Sequence, residues 1–533
     1  MTFLQLKFWI FLSILLLAYY ILPKKIQWVC LLIGSYIFYC CSGIKNMIFI
    51  LSTTITIWGG AVYINKIEDK KNFDLEELKK SENSSISKKE IKEIAKKNKK
   101  KVFWIILFLN FGVLAFLKYF NFTSENITSI FNIVSEKKFE PIKLGLLLPL
   151  GISFYTFQAV AYLIDVYNGK YKAEKNLAKF ALFISFFPQI IQGPINRFDK
   201  LSNQLYQERA FDLQKFQYGL QLILWGIFKK MVIADRAIVI VNKVFDNYNN
   251  YGGGVIVTGI LFYSLQQYCD FSGGIDVAMG ISELFGIKML PNFKRPYFSV
   301  SLSEFWRRWH ITLGLWMRDY VFYPLALTKT MSKISKKSKK YLGKQFSKVL
   351  PVALSNIVVF IIVGIWHGPY WHYVAWGLYN GLIIAISALL EPVYVWIKKV
   401  FKINTECFSY HLFRILRTFF IINLGWYFDR ANGLKESFHM LYITFTNLRI
   451  GQVFDGTMLT FGLESKDFKI LLITTIILFA VSLMQENGIK IRESLSKQNL
   501  VFRWGILYIF IFMIIGLAYQ SANSAGGFMY AQF

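Results

Sequence analysis

The stretch VVFIIVGIWHGPYWHYVAWGLYNGLIIAI, from Val358 to Ile386, decides the fold, because it joins two apolar runs through a short break. An apolar run of about 20 residues is long enough to cross the hydrocarbon layer of a bilayer as a helix. Gly368 and Pro369 interrupt the pattern, since proline cannot continue the helical hydrogen-bond ladder and disfavours the helical conformation of the preceding residue. The stretch therefore predicts two membrane helices joined by a tight turn.

The rest of the chain repeats this apolar character. Of its 533 residues, 55% are hydrophobic and 18% aromatic, which is more apolar surface than a soluble domain could bury. The candidate spans are residues 7–22, 26–42, 46–64, 102–119, 145–167, 176–193, 216–239, 254–269, 352–366, 371–394, 413–427, 469–485 and 503–520. With some of these re-entrant, we expect an all-α, polytopic membrane protein with about ten to twelve crossings.

The chain has a net charge of +29, and its lysines crowd into two segments between apolar runs, residues 66–101 and 329–348. Lysine and arginine accumulate in the cytoplasmic loops of membrane proteins, so this distribution indicates topology and argues against nucleic acid as a partner. It predicts a multi-pass protein of the cell membrane, with both lysine-rich segments in the cytoplasm. Counting spans from these segments places the N- and C-termini outside.

The distribution of spans and polar residues divides the chain into three predicted regions. Residues 1–144 would hold N-terminal membrane helices and a partly helical, basic cytoplasmic loop at 65–101. Residues 145–394 would form the functional core, because polar residues at membrane depth are costly and cluster there. Residues 395–533 would add C-terminal membrane helices, an external loop and an external tail.

Several kinds of chemistry find no support in the sequence. The cysteines are odd in number and lack metal-ligand spacing, which argues against a disulfide framework or a zinc site. No phosphate-binding loop, dinucleotide fingerprint or nucleophile elbow occurs. We therefore expect neither a bound metal ion nor a bound cofactor.

The densest polar patch is SLSEFWRRWHITLGLWMRDYVFYPL, residues 301–325. Ser301 with Glu304 three residues later forms a capping-box pattern, which predicts a helix beginning near Leu302. On that helix Glu304 and Arg308 are spaced i,i+4, as in a stabilising ion pair.

The same helix is expected to carry His310 on one face with Arg307 and Gly314, where the glycine leaves room beside the imidazole. One interpretation is a polar site around His310. The alternative is an amphipathic interfacial helix, whose tryptophans form an aromatic belt at the membrane surface. Its tryptophans are Trp306, Trp309 and Trp316.

The opening stretch contains two of the five histidines, His367 and His372. The two histidines are spaced i,i+5, which places them about 140° apart around an ideal helix. They therefore do not share a face, as metal ligands spaced i,i+4 would. If Pro369 begins the next helix, His367 lies beside that helix's N-terminus, which would favour a neutral base and a developing oxyanion. His372 is expected to hydrogen-bond within the helix bundle. The alternative for His367 is a structural histidine at a hairpin turn.

The motifs FWRRWHITLGLWMRDYVFYPL and GIWHGPYWHYVAWGLYNG resemble those of the membrane-bound O-acyltransferases (MBOATs). The resemblance is closest to the bacterial branch of the alginate O-acetylation proteins (AlgI), with the D-alanyl transfer proteins (DltB) as near relatives. It covers about residues 145–385. Supporting stretches are LPLGISFYTFQAVAYLIDVY at 148–167, FFPQIIQGPINRF at 186–198, YSLQQYCDFSGGIDVAMGISELFG at 263–286 and LPNFKRPYFSVSLSEFW at 290–306.

The resemblance implies roles for individual residues. His367 matches the family's signature histidine, the catalytic residue within a tunnel through the membrane, and His310 matches a second catalytic-site histidine. The residues implied to line the tunnel or the substrate site are Trp366, Asp270, Arg318, Asp319 and Asn380. The chain departs from the AlgI pattern from Ala326 on, where ALTKTMSKISKKSKK replaces a Gly-Gly-Asn sequence.

The implied function is O-acyl transfer, with acetyl as the expected group. A cytoplasmic thioester, acetyl-CoA or an acyl-carrier phosphopantetheine, would donate to an extracytoplasmic polysaccharide, with a secreted SGNH-type acetyltransferase as a partner. No cofactor would be bound, because the thioester carries the driving force. The alternatives are D-alanyl transfer to teichoic acid and a lipid or solute transporter, although a transporter's paired helix breaks are not apparent in the sequence.

The second lysine-rich segment suggests a further partner. It has eight lysines and no acidic residue, which would suit an acidic acyl-carrier protein. Attraction to anionic lipid, or topology alone, is the alternative. The lysines are Lys329, Lys333, Lys336, Lys337, Lys339, Lys340, Lys344 and Lys348.

Overall fold

All regular secondary structure in the part of the chain that the structure describes is helical. The computed structural model describes residues 1–80, 87–135, 138–146 and 148–519. Within these ranges no strand occurs, and the predicted all-α class is confirmed. The described residues form two compact units, Met1–Gln217 with Ile281–Leu290, and Tyr218–Gly280 with the residues from Pro291 on.

The helices vary widely in length. The first eight are α1 Leu6–Ile21, α2 Gln27–Cys40, α3 Met47–Lys80, α4 Lys88–Val134, α5 Ile152–Tyr167, α6 Leu177–Ser185, α7 Phe187–Gln192 and α8 Phe198–Leu205. The next eight are α9 Leu213–Ile227, α10 Asp235–Asp246, α11 Gly253–Leu284, α12 Leu302–Arg308, α13 Ile311–Met317, α14 Tyr323–Ala326, α15 Lys329–His367 and α16 Trp371–Leu389. The last six are α17 Glu391–Val400, α18 Phe408–Arg430, α19 Leu434–Thr446, α20 Ser465–Glu486, α21 Ile491–Ser496 and α22 Leu500–Leu517. Two π-helical segments, Phe228–Ala234 and Arg318–Phe322, precede α10 and α14.

Six helices among the described residues are long and apolar enough to cross a membrane, which agrees with a polytopic membrane protein. Crossing about 30 Å of hydrocarbon takes about 20 helical residues. The candidate spans are Ile44–Lys80, Lys88–Val134, Lys329–His367, Trp371–Leu389, Ser465–Glu486 and Leu500–Leu517. The expected ten to twelve crossings stay a prediction, because the other helices are shorter or less apolar.

The apolar run 176–193 does not form one helix, contrary to the prediction of a single span. It folds as α6 and α7, separated at Phe186, whose backbone leaves the helical region with φ −49° and ψ 107°. Pro188 stands in the first turn of α7, where its missing N–H costs nothing. A 9-residue and a 6-residue helix are each too short to cross a bilayer.

Aromatic side chains and one buried amide hold the first unit together. The rings of Phe8, Phe38 and Phe187 pack with centroids 5.6–6.4 Å apart, joining α1, α2 and α7. The side chain of Gln27 donates to the carbonyls of Tyr19 and Arg209 and accepts from the Arg209 N–H. A buried amide is tolerated because its polar atoms are bonded in this way.

The second unit contains a tightly packed helix pair, α15 with α16, which is the pair that the opening stretch predicts. Glycines allow the two backbones to meet closely. A Cβ on Gly377 would lie 2.3 Å from the Phe360 carbonyl oxygen, and one on Gly364 would lie 2.3 Å from that of Tyr373. Small residues at such contacts are typical of helix pairs in membranes.

The lysine-rich segment after α14 is helical rather than a loop. It forms the first part of α15, which breaks at Gly343, where φ is +87°. The hydroxyl of Ser335 donates to the Ser347 carbonyl at 2.8 Å, so the chain folds back on itself across this break. All eight lysines of the segment are exposed on the resulting helical hairpin.

The basic segment 65–101 is mostly helical as well, in agreement with the expected partly helical linker. Helix α3 runs to Lys80, and α4 begins at Lys88 after a capping box formed by Ser87 and Glu90. Residues 81–86 lie outside the described part of the chain, as does the predicted external tail.

Candidate functional site

The turn between α15 and α16 places His367 at the last position of a helix. Gly368 follows in an extended conformation, and Tyr370 is the N-cap of α16, which begins at Trp371. The expectation that Pro369 is the first residue of the next helix is therefore wrong by two residues. Gly368 and Tyr370 both adopt extended backbone angles, so the proline lies in the connection and not in the first turn.

The two predicted catalytic histidines both contact the indole ring of Trp366. The ring centroid of Trp366 is 5.2 Å from that of His367 and 5.8 Å from that of His310. Phe271 meets the His310 imidazole edge-to-face at 4.9 Å, and Trp376 lies 4.8 Å from His367. We call these five residues the aromatic row. His310 and Trp366 are buried, whereas His367 is half-buried.

Helix α12 begins as the capping pattern predicts. It starts at Leu302, with Ser301 as N-cap accepting from the Glu304 N–H. The Glu304 carboxylate accepts from the Val300 N–H, and it pairs with Arg308 at 2.7 Å. The predicted start and the i,i+4 ion pair are both confirmed.

His310 does not continue this helix. Trp309 has an extended backbone, and His310 adopts a left-handed backbone conformation with φ +45° and ψ +51°. Residues other than glycine rarely adopt this conformation. The expectation that one helix carries His310 on a face with Arg307 and Gly314 is therefore wrong. His310 instead caps the start of α13, where its carbonyl accepts from the Gly314 N–H.

The break has a cause outside the helix. The N–H of Lys294 donates to the Arg308 carbonyl at 2.9 Å, and the N–H of Ile311 donates to the Asn292 carbonyl at 2.9 Å. These bonds join the chain around residues 292–294 to the turn between α12 and α13. Backbone strain of this kind clusters at functional sites and persists when the surroundings hold it.

The same Asn292 contacts the His310 ring. Its side-chain Oδ1 lies 3.3 Å from Nδ1 of His310, and it accepts from the Thr312 N–H at 3.0 Å and the Thr312 hydroxyl at 2.8 Å. His310 lies outside the six candidate spans. Burial, together with the charge of nearby His367, lowers the pKa of His310, which keeps the imidazole neutral at pH 7.

The tryptophans of this region do not form a surface belt. Trp309 and Trp316 are 3% and 4% exposed, so the interfacial-belt interpretation is wrong for both. The indole N–H of Trp306 donates to Asn380 at 3.1 Å, and the Asn380 amide donates to the Trp376 carbonyl at 2.8 Å. Asn380 therefore ties α12 to α16 beside the aromatic row.

Asp270, next to Phe271 of the aromatic row, belongs to a buried ion cluster. Its carboxylate lies 2.6 Å from the Lys230 ammonium, which also lies 3.0 Å from Asp235. All three side chains are nearly inaccessible, and such pairs are stable only when the charges are matched and hydrogen-bonded. This environment is consistent with a supporting role for Asp270.

A second ion pair is formed by Lys229, the residue that precedes Lys230 of the first cluster. The Lys229 ammonium contacts Asp276 at 2.7 Å and the Ser272 hydroxyl at 2.8 Å. Lys229 and Lys230 both belong to the π-helical segment, and their partners Asp270 and Asp276 both belong to α11. The two pairs thus fix α11, which presents Phe271 to His310.

Arg318 and Asp319 occupy a different environment. They pair with each other at 2.9 Å on the second π-helical segment, with side chains 51% and 36% exposed. This partly exposed pair contrasts with the buried rings of the aromatic row. Their predicted role in a tunnel stays a prediction.

His372 is held by the helix bundle. Its Nδ1 donates to the Phe428 carbonyl of α18 at 2.8 Å, which is the kind of hydrogen bond that the sequence predicts. The adjacent Asp429 is buried and accepts from the Tyr263 hydroxyl at 2.6 Å and the Gln267 amide at 2.9 Å. These contacts join α16 and α11 to the end of α18.

Comparison with known proteins gives this arrangement a context. Residues 173–423 match the model of MBOAT, the membrane-bound O-acyltransferase family. Over this range the chain is similar to the MBOAT family. Every residue of the aromatic row lies inside the matched range, as do Asn292 and the buried ion cluster.

Curated relatives of this chain have several names. A probable alginate O-acetylase AlgI of Pseudomonas syringae pv. tomato is 34% identical over 63% of this chain and 59% of its own length. A peptidoglycan O-acetyltransferase of Helicobacter pylori is 32% identical over 64% of this chain and 65% of its own length. A teichoic acid D-alanyltransferase of Streptococcus thermophilus is 30% identical over 48% of this chain and 59% of its own length. The chain thus spans less than two thirds of these relatives.

Two features near the site were not predicted from the sequence, the paired lysines Lys229 and Lys230 and the amide of Asn292. Lys229 and Lys230 lie inside the apolar run 216–239. Lysines within a candidate membrane span are costly unless they are paired, so their presence could have indicated buried acidic partners. Asn292 gave no comparable signal, because it lies in a loop and meets His310 only through the tertiary fold.

Proposed function

We propose that this protein is a membrane O-acetyltransferase with His367 as its catalytic base. The observation that carries the proposal is that the rings of His310 and His367 both contact Trp366, inside the range that matches the MBOAT family model. Imidazoles are the side chains most often used to accept a proton from an attacking hydroxyl and return it to a leaving group. We propose that the aromatic row lines the path where the donor and the acceptor meet.

The chemistry follows from the thioester donor. The acceptor hydroxyl attacks the thioester carbonyl while His367 takes its proton, and collapse of the tetrahedral intermediate breaks the C–S bond. The proton then passes to the departing thiolate, so the base is regenerated. His367 ends α15, and the partial negative charge at a helix C-terminus favours the imidazolium that forms.

The proposed donor is cytoplasmic and the proposed acceptor is extracytoplasmic. We propose acetyl-CoA or an acyl-carrier phosphopantetheine as donor, a polysaccharide as acceptor and a secreted SGNH-type acetyltransferase as partner. Relatives named alginate O-acetylase and peptidoglycan O-acetyltransferase support an envelope glycan. We propose that the protein lies in the cell membrane with both termini outside. The exposed lysines of the α15 hairpin support a cytoplasmic position for the hairpin.

The hairpin at the start of α15 is a proposed docking surface for an acidic carrier protein. We expect reversal of four of its lysines to glutamate to slow transfer in a salt-sensitive way, because exposed charges steer association. The four lysines are Lys336, Lys337, Lys339 and Lys340. The measurement is the transfer rate at low and high ionic strength.

A matched control makes the same charge change on another exposed basic surface, the start of α4. Its four lysines are Lys88, Lys89, Lys92 and Lys96. If both variants slow transfer equally, or if neither variant slows it, the hairpin does not dock a carrier protein. Its lysines would then serve only to set the topology.

A second candidate is D-alanyl transfer to teichoic acid. The relative from Streptococcus thermophilus bears that name, at lower identity and over a smaller share of this chain. An amino-acid-adenylating enzyme with a small carrier encoded nearby would favour it, whereas a nearby SGNH-type acetyltransferase favours acetylation.

The test is deletion of the protein from its own host. Ester-linked acetate and ester-linked D-alanine are then measured in the cell envelope and the exopolysaccharide. Loss of acetate with D-alanine intact is the expected result. Loss of D-alanine alone would support the second candidate, and loss of neither would contradict acyl transfer.

A further inference from the structure

The amide of Asn292 and the imidazole of His310 form a pair whose hydrogen positions can be deduced. Oδ1 of Asn292 lies 3.3 Å from Nδ1 of His310, 3.0 Å from the Thr312 nitrogen and 2.8 Å from the Thr312 hydroxyl. Asn292 is 1% exposed and His310 is 4% exposed. Both side chains are therefore shielded from bulk water.

The orientation of the amide follows from Thr312. A backbone N–H can only donate, so the Asn292 atom that faces it must be the oxygen. A flipped amide would place its NH₂ group against that donor. The Nδ2 atom of Asn292 has no hydrogen-bond partner among the described residues, so no competing bond favours the flipped orientation.

The tautomer of His310 follows from the amide. An amide oxygen only accepts hydrogen bonds, so Nδ1 of His310 must carry the hydrogen that points at it. A neutral imidazole has a single N–H. Nε2 of His310 is therefore the nitrogen with the lone pair, and it is the atom that can take a proton.

We propose that Asn292 is a positioning residue that holds His310 in the Nδ1–H tautomer, so that Nε2 of His310 shares the proton transfer with His367. The tautomer stands on the geometry alone, and its use in catalysis rests on the proposed function. The proton released by the acceptor hydroxyl as the C–O bond forms is held by the imidazoles. After the C–S bond breaks, this proton moves from the imidazoles to the thiolate sulfur and leaves with the thiol.

The ring is held in place as a positioned base requires. Phe271 and Trp366 pack against His310, and its backbone is fixed in the left-handed region by the bond from Ile311 to Asn292. The titratable group that acts on the ring from α15 is His367. From α11 the neighbouring carboxylate is Asp270, which is paired with Lys230.

The first test observes the tautomer directly in the full-length protein. Nitrogen-15 NMR of histidine-labelled protein in lipid bilayers separates protonated from unprotonated ring nitrogens, and loss of a signal in His310→Gln assigns His310. We expect Nδ1 protonated and Nε2 unprotonated at pH 7, and a mixture of tautomers in Asn292→Leu. A protonated Nε2 in the unmodified protein would overturn the proposal, whether or not any variant folds.

The second test is the pH profile of acetyl transfer. Asn292→Asp places a carboxylate beside Nδ1, which favours the imidazolium, so the acidic limb of the profile should move to higher pH by about one unit or more. Asn292→Leu should lower the rate at least about tenfold at every pH. Asn423→Leu removes another buried amide, which bonds Ser264 and no histidine, and serves as the matched control.

The outcomes separate the two proposals. An unmoved acidic limb in Asn292→Asp, or equal losses in Asn292→Leu and Asn423→Leu, would assign Asn292 a purely structural role. Absence of any acyl transfer by the unmodified protein would instead contradict the proposed function. The NMR result would still decide whether Asn292 sets the tautomer.

Discussion

The rings of His310 and His367 both contact the indole of Trp366, although 57 positions separate the two histidines in the chain. His367 comes from the end of α15, and His310 comes from a strained turn that tertiary hydrogen bonds hold open. A neutral His310 whose lone pair is on Nε2 can share a proton with a second imidazole. This placement favours a joint role over a simple substrate-orienting role.

The first prediction concerns that joint role. We expect His310→Gln to lower acetyl transfer about as severely as His367→Gln, by about 10²- to 10⁴-fold, because glutamine cannot take up and release the proton. The measurement is transfer by the single and double variants at equal amounts in the membrane. A double variant no worse than the worse single would indicate one catalytic unit, whereas multiplied losses would contradict it.

At the scale of the element, the helix pair α15–α16 depends on glycine. Gly377 has no room for a methyl group, because a Cβ would approach the Phe360 carbonyl to 2.3 Å. We expect Gly377→Ala to destabilise the protein by about 1–3 kcal/mol, as overpacking does. The measurement is thermal unfolding in detergent, followed by tryptophan fluorescence.

The matched control is Gly505→Ala in α22, where a Cβ would have nothing within 4 Å. Alanine there should be neutral or slightly stabilising, because it lowers the entropy of the unfolded chain. Equal destabilisation by both substitutions would mean that close packing of α15 and α16 is not the cause.

Local sequence predicted the start of α12 but not its end. The start of α12 at Leu302 and the pair Glu304–Arg308 depend on residues three and four apart, so the pattern alone predicted them. The break at His310 depends on hydrogen bonds to residues 292–294, which local sequence does not specify. For the same reason Asn292 could not be found from the sequence.

At the scale of the whole molecule, the apolar runs and the lysine distribution predicted the fold class but not the form of every run. The run 176–193 became two short helices because Phe186 leaves the helical region. The MBOAT match covers residues 173–423, which includes both histidines that the motifs singled out. Their chemical roles depend on geometry that only the folded chain provides.

The prediction at this scale concerns topology. The exposed Lys337 should face the cytoplasm, because moving so many lysines across the membrane is unfavourable. In a variant whose exposed native cysteines are replaced by serine, Lys337→Cys should react with an impermeant maleimide only after permeabilisation. Gln5→Cys, near the N-terminus, should react in intact cells. Reaction of Lys337→Cys from outside would contradict the orientation.

The most direct test of the account compares His367→Gln with His372→Gln in the deletion strain. Both replace a histidine of the α15–α16 pair with glutamine, but His372 bonds the Phe428 carbonyl whereas His367 lies in the aromatic row. Ester-linked acetate is measured at matched protein levels in the membrane. We predict a loss of about 10²- to 10⁴-fold for His367→Gln and near-normal transfer, with lower thermal stability, for His372→Gln. Substantial ester formation by a well-inserted His367→Gln protein would contradict the assignment of His367 as the base.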